Sequence, residues 1–162
     1  MAQAKYCLYC GRELSTRNIH GKDYRACPSD GCNFVHWDNP LPVVAAVVEH
    51  NGNVLLARNK AWTSKIFALI TGFLEKGETP ENAVLREVKE ELGLDAELKG
   101  MIGIYPYIEN NQVIIAYHVS ASGDIKLGEE LAEVISLPPE KVRPWGFGAG
   151  PAVKDWLDRR KL

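Results

Sequence analysis

Apolar residues fall into short runs whose spacing separates strands from helices. Val43 to Glu49 is apolar and rich in β-branched residues, His50-Asn51-Gly52-Asn53 turns, and Val54 to Arg58 returns, which predicts a β-hairpin. Ile66 to Thr71 predicts a strand running into Gly72. Beyond it Thr79 stands before Pro80, as N-cap and first helical residue, with Glu81 in the first turn and Gly93 as the stop. At about 100° per residue, Val84, Leu85, Val88 and Leu92 form one stripe and Glu87, Glu90 and Glu91 another. The helix therefore turns one face to a core and carries three carboxylates on another.

Leu98 to Tyr107 and Val113 to Ala121 predict two further strands around a turn at Glu109-Asn110-Asn111, and Leu131 to Leu137 a shorter one before Pro138-Pro139. Pro151 opens a last helix whose Val153, Trp156 and Leu157 form an apolar stripe and whose end is basic, as the helix dipole favours. Mixed strands with two helices indicate an α/β sandwich. Asp38-Asn39-Pro40-Leu41-Pro42 reads as a linker, because each proline holds its predecessor extended and stops a helix. The expected organisation is a small unit at 1–37, a linker at 38–42 and a main domain at 43–162, without internal repeats or low-complexity tracts.

All four cysteines precede residue 33, as Cys7, Cys10, Cys27 and Cys32. Met1-Ala2-Gln3-Ala4-Lys5 leads straight into them with no signal peptide, so two close pairs read as thiolate metal ligands rather than disulfides. A closed, tetrahedral Zn²⁺ site would supply the folding energy that so short a segment lacks. His20 and His36 are the substitute ligands, and iron or a redox dithiol pair the alternatives. Cytoplasm is the expected location, and no apolar run of about 18 residues predicts a membrane span. A chain of 162 residues can bury a proper core, and a formal charge of -2 gives no basic field. Nucleic-acid binding is therefore not favoured. Lys5, Arg12, Arg17, Lys22 and Arg25 keep a local patch open, although such residues more often form solvated surface.

Three glutamates three and four residues apart repel one another by a few tenths of a kcal/mol per pair, and a bound cation relieves that. Hard oxygen ligands suit Mg²⁺ or Mn²⁺, ions that share themselves with substrate phosphates. The acidic face thus predicts metal-assisted phosphate chemistry.

Gly72, five residues, Glu78, seven residues, and then Arg86-Glu87-Val88-Lys89-Glu90-Glu91-Leu92-Gly93-Leu94 match every defined position of the Nudix box. The chain resembles the Nudix hydrolases, which implies an α/β/α sandwich with a mixed sheet, here preceded by a small zinc ribbon. The resemblance implies that Glu87, Glu90 and Glu91 hold divalent ions with a backbone oxygen of Gly72, while Arg86 and Glu78 brace loop against helix. It also implies a further acidic residue outside the box. Glu133 stands where the family often has it, with Glu129 and Glu130 as competitors, so the implied catalytic set is Arg86, Glu87, Glu90, Glu91 and Glu133.

A zinc ribbon before such a domain resembles the NADH pyrophosphatase family and its relatives acting on ADP-ribose or FAD. That implies cleavage of a dinucleotide or nucleoside diphosphate derivative to mononucleotides, in enzymes that often form homodimers. The NADH group's Ser-Gln-Pro-Trp-Pro-Phe-Pro is reduced here to Tyr105-Pro106-Tyr107, a departure that bears on NADH and not on the pyrophosphatase chemistry. Trp37, Phe73, Tyr105 and Tyr107 are candidate platforms for a base. Trp145 and Phe147 lie among glycines that suit a lid or a plain turn, and Arg58, Lys60 and Lys65 are cations within reach of phosphates or simply of solvent. The alternatives are an RNA 5′-end hydrolase, a nucleoside triphosphate pyrophosphohydrolase, and a non-catalytic nucleotide-binding module.

Overall fold

The structure is a computed structural model and describes residues 4–63 and 65–161. The leader reading at Met1-Ala2-Gln3 lies outside them. Chain contacts divide the protein after Pro40 into two units. In the first, β1 (Ser15–Ile19), β2 (Lys22–Ala26) and β3 (Val35–His36) form an antiparallel sheet in the order β1-β2-β3. Its buried core is Cys7, Leu14 and Cys27, with Ala4, Cys32 and Phe34 packed partly against them. So little apolar surface does not hold a fold by itself.

The second unit runs β4 (Leu41–His50), β5 (Asn53–Asn59), β6 (Ile70–Phe73), α1 (Pro80–Leu92), β7 (Asp95–Tyr107), β8 (Gln112–Ser122), β9 (Leu131–Leu137) and α2 (Gly150–Arg159), with single 3₁₀ turns at Ile108–Asn110 and Pro139–Lys141. The strands form one mixed sheet in the order β7-β8-β4-β5-β9, with β6 also on β4. β4 is its axis. One edge pairs parallel with β8 from Leu41 to His50, while the other is shared antiparallel between β6, opposite Val43 to Ala46, and β5, opposite Val48 to His50.

Val43 to Val48 are all buried, as expected of a strand covered on both faces. Successive side chains alternate between two cores. Val43, Ala45 and Val47 pack with Ala152, Val153 and Trp156 of α2, whereas Val44, Ala46 and Val48 pack with Val84, Val88 and Leu92 of α1. The result is the α/β/α sandwich, with one helix on each face. α1 begins where Thr79 accepts a hydrogen bond from the Asn82 N–H and ends at left-handed Gly93, whose N–H donates to the Lys89 carbonyl. Among the described residues no helix is long and apolar enough to cross a membrane.

Three strands differ from expectation by two residues or more at a boundary. The strand predicted over Ile66 to Thr71 begins only at Ile70 and continues to Phe73, so Gly72 lies within it, opposite Val44. Ala68 makes a single bridge to Ala57. β7 begins at Asp95 rather than Leu98, and β4 begins at Leu41, inside the stretch read as linker. Pro42 is tolerated because it faces Leu74 at the end of the β4–β6 ladder. The Leu74 N–H still donates to the Pro42 carbonyl, and the ring removes one terminal bond.

Leu92 is fully buried where α1 meets the sheet. Leu92→Ala is expected to lower unfolding free energy by about 2–5 kcal/mol in urea titration, while Lys89→Ala on the exposed face changes it by about 0.5 kcal/mol or less.

Candidate active site

A cavity of about 540 Å³ opens over the acidic face of α1, walled by Thr71, Gly72 and Phe73 of β6, by Arg86, Glu87, Glu90 and Glu91 of α1, and by Glu75, Gly128, Glu129 and Glu130 from loops. Arg86 is its centre. The guanidinium grips Glu78 through two bonds of 2.8 and 3.1 Å, reaches Glu87 at 2.7 Å and Glu90 at 3.0 Å, and donates to the Phe73 carbonyl at 3.2 Å. All five of its N–H donors are thus engaged. The hydrogen bond from Arg86 is the main reason that Glu78 lies below the ordinary carboxylate range.

The other carboxylates are crowded in the opposite sense. Burial raises Glu87 despite its contact with Arg86. Burial, and then the charges of Glu87, Glu130 and Glu90, push Glu91 up to about 8. Such a set suits a hard divalent cation, which would replace the lost hydration and offset the mutual repulsion. Gly72 has a steric reason to be glycine, because a Cβ there would overlap the Glu87 carboxylate, which rests against the backbone of β6.

The loop after β8 supplies the remaining carboxylates. Its Lys126 and Gly128 N–H groups donate to the Leu92 and Glu91 carbonyls at 2.8 Å, satisfying the end of α1, and a Cβ on Gly128 would collide with the Glu90 carbonyl. Docked this way, the loop brings Glu129 and Glu130 to the cavity. Lys60 fixes them from the turn just after β5, its N–H donating to the Glu130 carbonyl at 2.8 Å and its Nζ to the Glu129 carbonyl at 2.6 Å.

Gly72, Phe73, Arg86, Glu87, Glu90 and Glu91 therefore come together, and Glu133 does not. A β-bulge opposite Arg58 and Asn59 interrupts the alternation of β9, and Glu133 lies exposed against Arg58 at 3.4 Å. Glu130 occupies the cavity instead. Arg58, Lys60 and Lys65 line neither this cavity nor its neighbour.

That neighbour, of about 360 Å³, is walled by Trp62, Ile66, Tyr107, Asn110, Ile114, Trp145 and Phe147, and shares Val43, Thr71 and Gln112 with the first. Tyr107, Trp145 and Phe147 are among the aromatic residues singled out by sequence. Trp62 is not, since the stretch around it is conspicuous only for its lysines. Tyr105 points elsewhere, its hydroxyl donating to Asp155 of α2 at 2.7 Å, and burial pushes it up to about 12. Trp37 belongs to the first unit and packs edge-on against Tyr24 with ring centroids 5.0 Å apart.

In that first unit the four cysteine sulfurs lie within 4.8 Å of one another, with Cys7 to Cys32 at 3.7 Å and Cys10 to Cys27 at 3.5 Å. A tetrahedral zinc with Zn–S bonds of about 2.3 Å needs sulfurs about 3.8 Å apart, so the set fits that ion. The Tyr9 N–H points at Cys7 Sγ, and hydrogen bonds from Ser29 lower Cys27 to about 6. Against a backbone hydrogen bond from Phe34, burial and hydrogen bonds with the other three cysteines raise Cys32 to about 11, so the thiols titrate as one set. His20 and His36 stand outside the cluster, His36 lying 3.8 Å from the Asp38 carboxylate.

Residues 39–157 match the NUDIX domain family. The chain is 30% identical over 161 residues to the NAD-capped RNA hydrolase NudC of Vibrio atlanticus, an alignment that covers 95% of this chain and 58% of that protein. It is 28% identical over 163 residues to the ADP-ribose pyrophosphatase of Methanocaldococcus jannaschii, covering 95% of this chain and 96% of that one. The chain spans about half the length of the NudC relatives it matches. Among solved structures, a NUDIX hydrolase from Nitrosomonas europaea superposes with a TM-score of 0.82 at 26% identity, over 98% of this chain and 93% of that one.

Glu91 generates a test without substrate. A carboxyl raised from its ordinary 4.5 to about 8 contributes stability that is full below about pH 4.5 and is lost as pH rises through about 8. In buffer free of Mg²⁺ and Mn²⁺, Glu91→Gln is expected to melt several degrees above the parent near pH 9 and together with it near pH 4. Equal melting temperatures at both ends would show that Glu91 is not raised.

Proposed function

The chain belongs to the NUDIX family, and from that premise we propose that it is a Mg²⁺- or Mn²⁺-dependent pyrophosphatase cleaving a nucleoside diphosphate derivative, with ADP-ribose as its first substrate. The observation that carries this reading is the shared wall between a carboxylate-lined cavity and an aromatic one. A pyrophosphate joined to a base needs these two environments side by side. Trp62, Tyr107, Trp145 and Phe147 stack the base, and Glu87, Glu90, Glu91 and Glu130, with the Gly72 carbonyl, hold the divalent ions. When bound, those ions neutralise charge on the transferring phosphoryl group and lower the pKa of the attacking water.

The residues themselves do the positioning. Arg86 locks β6, the Glu78 loop and α1 into one frame, fixing the directions of Glu87 and Glu90, so that little reorganisation remains when substrate arrives. The choice of substrate rests on two supports. The M. jannaschii ADP-ribose pyrophosphatase aligns over nearly its whole length, and the acidic rim at Glu75 and Glu129 suits a short substrate whose charge the metals cancel better than a long polyanion. The NudC relatives make an NAD-type dinucleotide the second reading. In the first unit, Cys7, Cys10, Cys27 and Cys32 hold a structural Zn²⁺.

Incubation with Mg²⁺ and ADP-ribose is expected to yield AMP and ribose 5-phosphate by chromatography, and absence of both products would overturn the assignment. Glu87→Gln should lower kcat by about 10²–10⁴-fold while leaving the melting temperature within a few degrees. Elemental analysis should find one zinc per chain, reduced well below one in Cys10→Ser. A full zinc complement in that variant would place the ion elsewhere.

A further inference from the structure

Val43, Thr71 and Gln112 line both cavities. On a substrate whose base fills the aromatic cavity and whose pyrophosphate fills the acidic one, the group crossing this wall is the ribose. Val43 offers only methyl groups. The polar side chains at the crossing are the Thr71 hydroxyl and the Gln112 carboxamide, each able to donate and to accept, as ribose hydroxyls do. Neither is charged, so neither competes with the carboxylates for metal.

Both are half-buried and held on paired strands, Thr71 opposite Ala45 on β6 and Gln112 opposite Leu41 at the start of β8. Neither side chain is occupied by a hydrogen bond within the described residues. The fold fixes their backbones and leaves their polar ends uncommitted. Asn110, by contrast, lines only the aromatic cavity, where a base would lie.

We infer that Gln112, with Thr71, reads the hydroxyls of the nucleoside ribose and makes the site selective for ribonucleotides over 2′-deoxyribonucleotides. This rests on the pyrophosphatase reading above. A site built to hydrogen-bond a hydroxyl rejects the analogue that lacks it, because its own polar group is then left unpaired.

The test compares kcat/KM for ADP-ribose and for its analogue lacking the adenosine 2′-hydroxyl, in the parent and in Gln112→Leu, with Thr71→Val as a near-isosteric second variant. The parent is expected to favour ADP-ribose by about tenfold or more. Gln112→Leu should bring the ratio close to one by lowering the ADP-ribose value alone, Thr71→Val should reduce it, and Mn²⁺ affinity measured by titration calorimetry should be unchanged in both. Equal rates on the two substrates in the parent would overturn the inference while leaving the pyrophosphatase intact. So would a ratio that survives both substitutions, since the side chains would then touch phosphate or nothing. Turnover of neither substrate by the parent would overturn the pyrophosphatase reading and this inference with it.

Discussion

One guanidinium makes the acidic site foldable. Two like charges 4 Å apart at an effective dielectric of about 20 oppose each other by about 4 kcal/mol, and Glu78, Glu87 and Glu90 all converge on this region. Arg86 answers three carboxylates and the Phe73 carbonyl at once. It leaves Glu91 outside its reach, so the cluster is neutralised only in part. That remainder is what a divalent ion would complete, and it adds to burial, the larger cause, in pushing Glu91 up to about 8.

The frame around that site follows from β4. Because β8 runs parallel to it along one edge and β6 runs antiparallel along the other, Gln112 at the start of β8 and Thr71 in β6 flank the same end of β4, where Val43 lies. Two cavities meet there, one walled by the acidic face of α1 and one by aromatic residues from two separate loops and the end of β7. The acidic and the aromatic cavity thus share one short stretch of the sheet. The loop carrying Glu129 and Glu130 is fixed by hydrogen bonds to the end of α1, which ties the second source of carboxylates to the helix that provides the first.

Much of this was legible along the chain. Local chemistry writes the caps of α1, the spacing of its carboxylates and the cysteine spacing directly into short segments, whereas the pairing of Arg86 with Glu78 came only from the resemblance to the Nudix hydrolases. Features set by distant partners were not legible. The parallel pairing of β4 with β8 joins residues about 70 positions apart and leaves no local mark. Glu130 lies in the cavity and Glu133 outside it because of a bulge in β9, and nothing in Glu129 to Leu137 announces one. Pro42 reads as a strand breaker by its own chemistry, and only its place at the end of a ladder makes it acceptable. Trp62 lacks any periodic context, and becomes significant only when Tyr107, Trp145 and Phe147 gather beside it.

The strict alternation of β4 carries a consequence for how this sequence can change. From Val43 to Val48 its even and odd positions belong to different hydrophobic cores, under different helices, yet all of them are small or β-branched and apolar. Exchanging one such residue for another alters a single contact. Adding or removing one residue exchanges the two cores wholesale, moves every partner on both neighbouring strands by one place, and separates the acidic cavity from the aromatic one. In this strand the count of residues is held far more tightly than their identity, so divergence can proceed there by replacement and hardly at all by insertion or deletion.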